Sequence, residues 1–197
     1  MTINVFEQVK PLLVFDSKDD FYHLQILKRK KENPELGSNS YVIKTYYITS
    51  IEHLDKMTPE IIDMCESNNA RAALNLNRRS FEKIAFQTLR KVSEQIFNKD
   101  FYSVRKSYNT CCGAFGNEKN KKWIVDIDVK DTPLLNELVG YISTLEPKVS
   151  VEERIKVVLP TKAGFHIITS PFRLDVFKKK YPTIDIHKDN PINAYIP

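Results

Sequence analysis

Residues 123–129, Trp-Ile-Val-Asp-Ile-Asp-Val, set two aspartates, Asp126 and Asp128, inside an apolar run. Read as a strand, the run alternates its side chains, so both carboxylates share one face while Val125, Ile127 and Val129 share the other. Aspartate is depleted in strands and costly to bury unpaired, so two in one strand call for a role. Carboxylates about 7 Å apart along a strand can each hold a divalent cation and share another through bridging oxygens. That geometry suits two-metal chemistry at phosphates, with ions about 3.5–4 Å apart. A strand whose second face is simply wet gives the same pattern, since one-sided exposure is ordinary in antiparallel sheets.

A second group follows at residues 161–166, Thr-Lys-Ala-Gly-Phe-His. Thr161 offers a hydroxyl and Lys162 an ammonium, while Gly164 permits backbone amides to approach a phosphate closely. Alternation then puts Phe165 and Ile167 on one face and His166 on the other, and further on sets Ile184 and Ile186 against Asp185. If the first strand is flanked by the third and the fourth, His166 and Asp185 fall on either side of Asp126 and Asp128. Three carboxylates and a histidine then converge without being adjacent in sequence. His23, His53 and His187 read as solvated or internally satisfied side chains.

The elements that must position this set can be traced outward from it. Residues 123–129 form the first strand, and Thr132-Pro133 opens a helix carrying Leu134, Leu138 and Ile142. Strands over 155–159 and 165–169, a helix over about 171–180 and a strand over 183–188 complete β-α-β-β-α-β, the ferredoxin-like or RRM-like order. The first half alternates strand-like runs at 12–15, 21–27, 41–48 and 72–76 with two helices. One helix is opened by Thr58-Pro59 and the other capped by Ser80, with a stripe of Phe81, Ile84, Ala85, Leu89, Val92 and Ile96 that reads as core-facing. The fold class is therefore α/β in the α+β sense: an N-terminal α/β module over residues 1–100 packed on an RRM-like catalytic module over 101–197, together one compact core.

In order and placement these motifs resemble the archaeo-eukaryotic primase superfamily, which includes primase-polymerases of phages and plasmids and the polymerase domains of bacterial end-joining ligases. That family carries Asp-x-Asp or Asp-x-Glu on the first strand of its RRM-like module, then a Ser/Thr-rich turn ending in His, then a hydrophobic residue and Asp. Asp126-Ile-Asp128, the turn from Thr161 to His166, and Ile184-Asp185 stand in those places. The resemblance implies a DNA primase or polymerase type of nucleotidyltransferase in which Asp126, Asp128 and Asp185 bind two Mg²⁺ or Mn²⁺ ions. It implies that His166, with Thr161, Lys162 and Gly164, contacts the phosphates of an incoming NTP or dNTP. It also implies a single-stranded DNA template, for which Arg78 and Arg79 are the candidate contacts, and leaves open whether the chain acts alone or with a separate helicase or replication protein. Where many relatives carry an Arg just after the third motif, this chain has Tyr195-Ile-Pro197.

Composition narrows the setting. Thirty Lys and Arg against 25 Asp and Glu give a net charge of +5, which favours polyanionic partners. No stretch of about 18 apolar residues could span a membrane and the first residues lack the order of a secretory signal, so a cytoplasmic protein is expected. Cys65, Cys111 and Cys112 have no Cys-x-x-Cys spacing and read as reduced thiols. Two other functions remain open: a glycosyltransferase using Asp-x-Asp to hold a metal against a sugar nucleotide, and a non-catalytic RRM-like single-strand-binding protein. The latter needs aromatic residues on the open sheet face.

Overall fold

Strand-forming runs at both ends of the chain build a first antiparallel sheet, and runs in its second half build another. The computed structural model describes residues 2–116 and 119–197. In chain order its elements begin with β1 (Ile3–Asn4), α1 (Phe6–Val9), β2 (Asp20–Arg29), β3 (Ser40–Ile48) and α2 (Ile51–Asn68). They continue through β4 (Arg71–Asn75), β5 (Arg79–Ser80), α3 (Phe81–Phe97), α4 (Phe101–Val104) and α5 (Ser107–Ala114). The second half holds β6 (Trp123–Ile127), α6 (Thr132–Ser143), α7 (Val151–Arg154), β7 (Ile155–Pro160), β8 (Phe165–Thr169), α8 (Leu174–Lys180), β9 (Asp185–His187) and β10 (Pro191–Ile196). The fold is mixed α+β.

The first sheet runs β1-β10-β4-β2-β3, with β5 also paired to β2, and the second runs β7-β8-β6-β9. Every pairing is antiparallel. Strand β10, unforeseen in the sequence, returns the end of the chain to the first sheet, setting Ile192 opposite Leu74 and Ile196 opposite Ile3. The first sheet is thus closed by residues from beyond position 100.

The two sheets share a core. Val125, Ile127 and Ile167 pack under α6 and α8 with Leu138, Ile142 and Phe177. Ile124, Leu159 and Ile168, on the opposite face, join Leu24, Ile26 and Leu74 of the first sheet. The face that carries Asp126 is turned away from α6 and α8, as the alternation requires, but the first sheet covers part of it and α1 packs against β7. That contact is what turns a sheet face into one wall of a cleft.

Several sequence expectations give way to tertiary context. α2 starts at Ile51, not Thr58: the Ser50 side chain accepts from the His53 amide at 3.0 Å, and Pro59 sits inside the helix. Thr58 is not a cap, and its hydroxyl instead donates back to the Leu54 carbonyl at 2.8 Å. Burial of Leu54, Ile61 and Cys65 along one stripe outweighs the amide that Pro59 lacks. Residues 12–15 form no strand; the Val14 amide donates to the Tyr22 hydroxyl at 2.9 Å instead of to a neighbouring strand. α3 begins after its Ser80 cap, whose side chain accepts from Lys83 at 3.1 Å, but Leu89, Ala85 and Ile96 face outward, and Ile84 is its one fully buried residue. Among the described residues no helix is long and apolar enough to cross a membrane.

Candidate active site

Asp126 stands on the central strand of the second sheet, directly opposite His166 on β8 and Asp185 on β9. Residues opposite one another on paired strands share a face, so these three side chains share one. His187 lies two residues beyond Asp185, opposite Ile124, and therefore joins them. His166 Nε2 lies 3.2 Å from Asp126 Oδ1, and His187 Nε2 lies 3.6 Å from Oδ2. Asn190 Nδ2 approaches His187 Nδ1 at 3.1 Å, and an amide donating there leaves the Nε2 proton of His187 directed at the carboxylate. The bond from His166 holds the Asp126 carboxyl below its usual range; partial burial opposes this, and the electrostatic influence of His166 and His187 adds to it.

Two adjoining cavities of about 320 and 370 Å³ open in front of Asp126. Both are lined by Arg29, Arg71, Asp126, His166 and Asn193; the first adds His187 and Asn190, the second Asp128, Thr161 and Lys162. One wall therefore carries carboxylates and imidazoles from the second sheet, and the other carries guanidiniums from β2 and β4. Arg71 is fixed by an ion pair with Glu32 and donates to Asn193 Oδ1 at 3.1 Å. Burial first and the nearby Arg29 charge second bring Arg71 down to about 10, still protonated at neutral pH. Arg29 is exposed at the mouth.

The structure brings five of the residues singled out in the sequence to one cavity: Asp126, Asp128, Thr161, Lys162 and His166. Asp128 stands just past the end of β6, which stops at Ile127, two residues earlier than the alternation suggests. Asp185 faces the same side at the adjacent register but is exposed and lines neither cavity. Oxygen donors such as Asp126 and Asp128 on one cavity wall fit a hard divalent cation. Among the described residues, however, no three His, Cys, Asp or Glu side chains form a ready ligand cluster.

Gly164 has a different task from the one its type suggests. A Cβ there would lie 2.0 Å from the Ile127 carbonyl oxygen and 2.6 Å from that of Val129, so the turn can lie against the end of β6 only with glycine. Its amide donates to Thr161 Oγ1 at 2.8 Å and is spent inside the turn, not offered to a phosphate. Gly164 thus sets where Asp128 emerges.

Arg78 and Arg79 are not placed to touch a template. Arg78 is buried and bonded to Asp16 at 2.7 Å and Asp20 at 2.9 Å. Arg79 is fully buried, donating to the carbonyls of Cys112 at 2.6 Å and Asn77 at 2.5 Å and to Asp189 Oδ1 at 3.1 Å. Conversely, Arg29, Arg71, Asn193 and His187 line the site without having been singled out. The alternation Asp185-Ile-His187 could have revealed His187; the others depend on pairings among β2, β4 and β10 that no local pattern announces. No protein-family model matches the chain, and neither do any curated protein or any solved structure.

Proposed function

We propose that the chain is a metal-dependent nucleotidyltransferase of the primase-polymerase kind, found among phages and plasmids, which adds NTP or dNTP residues against a single-stranded DNA template. The observation that carries this reading is the cleft in which Asp126, Asp128 and His166 face Arg29 and Arg71. A cavity with acidic and cationic walls suits a triphosphate together with its counter-ions; a cavity of one sign suits only one of the two. The strand order β7-β8-β6-β9 within a β-α-β-β-α-β succession supports an RRM-like module. A cytoplasmic location belongs to the same reading.

In the reaction, a primer or first-nucleotide 3′-hydroxyl attacks the α-phosphate and pyrophosphate leaves. Asp126 and Asp128, with Asp185 beside them, would hold two Mg²⁺ or Mn²⁺ ions, which when bound neutralise phosphate charge and favour the ionised hydroxyl. Arg29 and Arg71 bind the triphosphate from the facing wall and Lys162 binds it from the turn between β7 and β8, while Asp126 orients the His166 ring toward it. Positioning and charge neutralisation account for most of the catalysis in phosphoryl chemistry, and a cleft between two packed sheets holds its groups rigidly. The open face displays Ile124, Asp126, His166 and Asp185 in place of the aromatic platform that a single-strand-binding RRM-like sheet requires.

Incubation with labelled NTPs or dNTPs on primed and unprimed single-stranded templates tests the proposal. Elongated products should form with Mg²⁺ or Mn²⁺ and vanish with chelator. Failure to incorporate any nucleotide with either metal, alone or with a replicative helicase present, would overturn it.

A further inference from the structure

We propose that the outward face of α3, α4 and α5 is a binding surface for a single strand of nucleic acid. α3 has 17 residues, and only Ile84 is fully buried. Of the 13 large apolar side chains exposed among the described residues, seven fall between Phe86 and Phe115. Five of those seven are aromatic: Phe86, Phe97, Phe101, Tyr102 and Phe115, with Phe97 87% exposed. Such a concentration of exposed apolar side chains in one segment is not needed by the core, which is complete without it.

The same segment is basic. Residues 81–114 hold six Lys and Arg against three Asp and Glu, a net +3 of the chain's +5. The Arg105 guanidinium lies 4.1 Å from the centre of the Tyr102 ring, so cation and aromatic form one platform. A groove of about 470 Å³ between α3 and α5 is bordered by Lys91, Phe115 and the exposed ion pair of Arg90 with Glu94 at 3.1 Å. A neighbouring cavity also lined by Phe115 continues to Lys188 and Asp189, the residues after His187 of the candidate active site.

These features select the occupant. A second copy of the chain would bring two faces of like charge together. Duplex DNA satisfies the cations but hides its base faces. An acidic protein satisfies them equally without needing exposed rings. A single strand offers phosphates to the lysines and arginines and unstacked bases to the aromatic rings. The surface would present the template to the active site, and in that respect it rests on the polymerase reading; strand binding itself is measurable without catalysis.

Fluorescence anisotropy of a labelled oligothymidylate of about 20 nucleotides with the full chain is the test. Replacing Phe97, Phe101 and Tyr102 together by Ala should weaken binding at least about tenfold, with the salt dependence unchanged. Lys91→Glu with Lys106→Glu should weaken it and flatten the dependence on salt. All these positions are exposed or partly so, and thermal melts should match the parent. Asp126→Asn with Asp128→Asn should bind as the parent does while losing incorporation, which separates this surface from the catalytic assignment. Equal affinity in the parent and both surface variants, or no binding at low salt, overturns the proposal. So does sedimentation showing that the aromatic variant abolishes self-association but leaves oligonucleotide binding intact.

Discussion

The Asp126 cleft and the cluster around Arg79 both gather charge at the junction of the two sheets, and both contain residues whose types suggest contact with a polyanion. They differ in how their bonding is completed. Around Arg79 the chain satisfies itself: Arg79 reaches Asn77, Cys112 and Asp189, Asn75 donates to the Asp189 carbonyl at 2.9 Å, and Asn77 Nδ2 donates to the carbonyls of Lys122 and Lys188. In the cleft, Asp128 and Arg29 stand exposed at the mouth, and among the described residues Asp126 is met by two imidazoles. Charge whose partners lie within the chain holds elements together. Charge left open toward a cavity awaits a partner from outside.

The sharpest test of that contrast is at Asp126. Asp126→Asn combined with Asp128→Asn removes charge but little volume, so nucleotide incorporation should fall about a thousandfold or more, equivalent to several kcal/mol in the barrier. The melting temperature should stay within about 2 °C of the parent, since the lost groups lie on an open wall. A large drop in melting temperature would break the comparison, because it would make Asp126 a structural group like Arg79.

At Arg79 the pattern should invert. Arg79→Ala leaves Asp189 with Asn77 as its remaining side-chain donor and takes the guanidinium from the carbonyls of Asn77, Cys112 and Gly113, and stability measured by urea unfolding should fall by about 3–5 kcal/mol. Arg79→Lys should recover only part of this, because an ammonium cannot span the carbonyls and carboxylate that the guanidinium bridges. Oligonucleotide binding per folded molecule should not change; if it falls while the fold is retained, Arg79 is a template contact after all.

Gly164 lies between the two regimes, since it is structural but acts on the cleft. In Gly164→Ala the new Cβ must displace the Ile127 carbonyl, lifting the turn and moving Asp128. Misplacement of about 1 Å can cost about a hundredfold in rate, so activity should fall by that order with a smaller loss of stability. Ala163→Gly, one residue earlier and exposed, should do neither. Equal effects at the two positions would remove the case for a packed turn.

Much of the second sheet was legible because its signals are local. Residues 165–169 read as a strand and form one, Ser80 reads as a cap and is one, and alternation placed Asp126 and His166 on one face before any pairing was known. What escaped is set by distant partners. β10 has no partner until the first sheet exists, and Arg29 and Arg71 reach the cleft only because that sheet packs on Ile124 and Ile168. Arg78-Arg79 misled because a pair of arginines at a strand-to-helix junction looks alike whether it faces solvent or Asp20 and Asp189. The α3 stripe misled likewise: periodicity reports an apolar face but not which surface will cover it.

The smallest expected effect concerns His23, which joins the Arg79 cluster through its 3.3 Å contact between Nδ1 and Asn75 Oδ1 while its buried Nε2 meets no hydrogen-bond partner among the described residues. Burial lowers its folded-state value from 6.5 to about 4; the Asn75 bond opposes this and the Arg79 charge adds to it. Between those two values the unfolded chain binds more protons than the folded one, so stability rises with pH there. The full contribution is present above about pH 6.5 and is lost as pH falls toward 4. Between pH 7 and pH 5 the loss from this one group is about 2 kcal/mol. Urea unfolding of the parent and of His23→Gln at both pH values measures it, because glutamine can keep a donor toward Asn75 without titrating. The parent should lose about 2 kcal/mol more than the variant. An identical pH dependence in the two proteins would mean that protonated His23 finds a partner, and that the cluster around Arg79 is less closed than its hydrogen bonds imply.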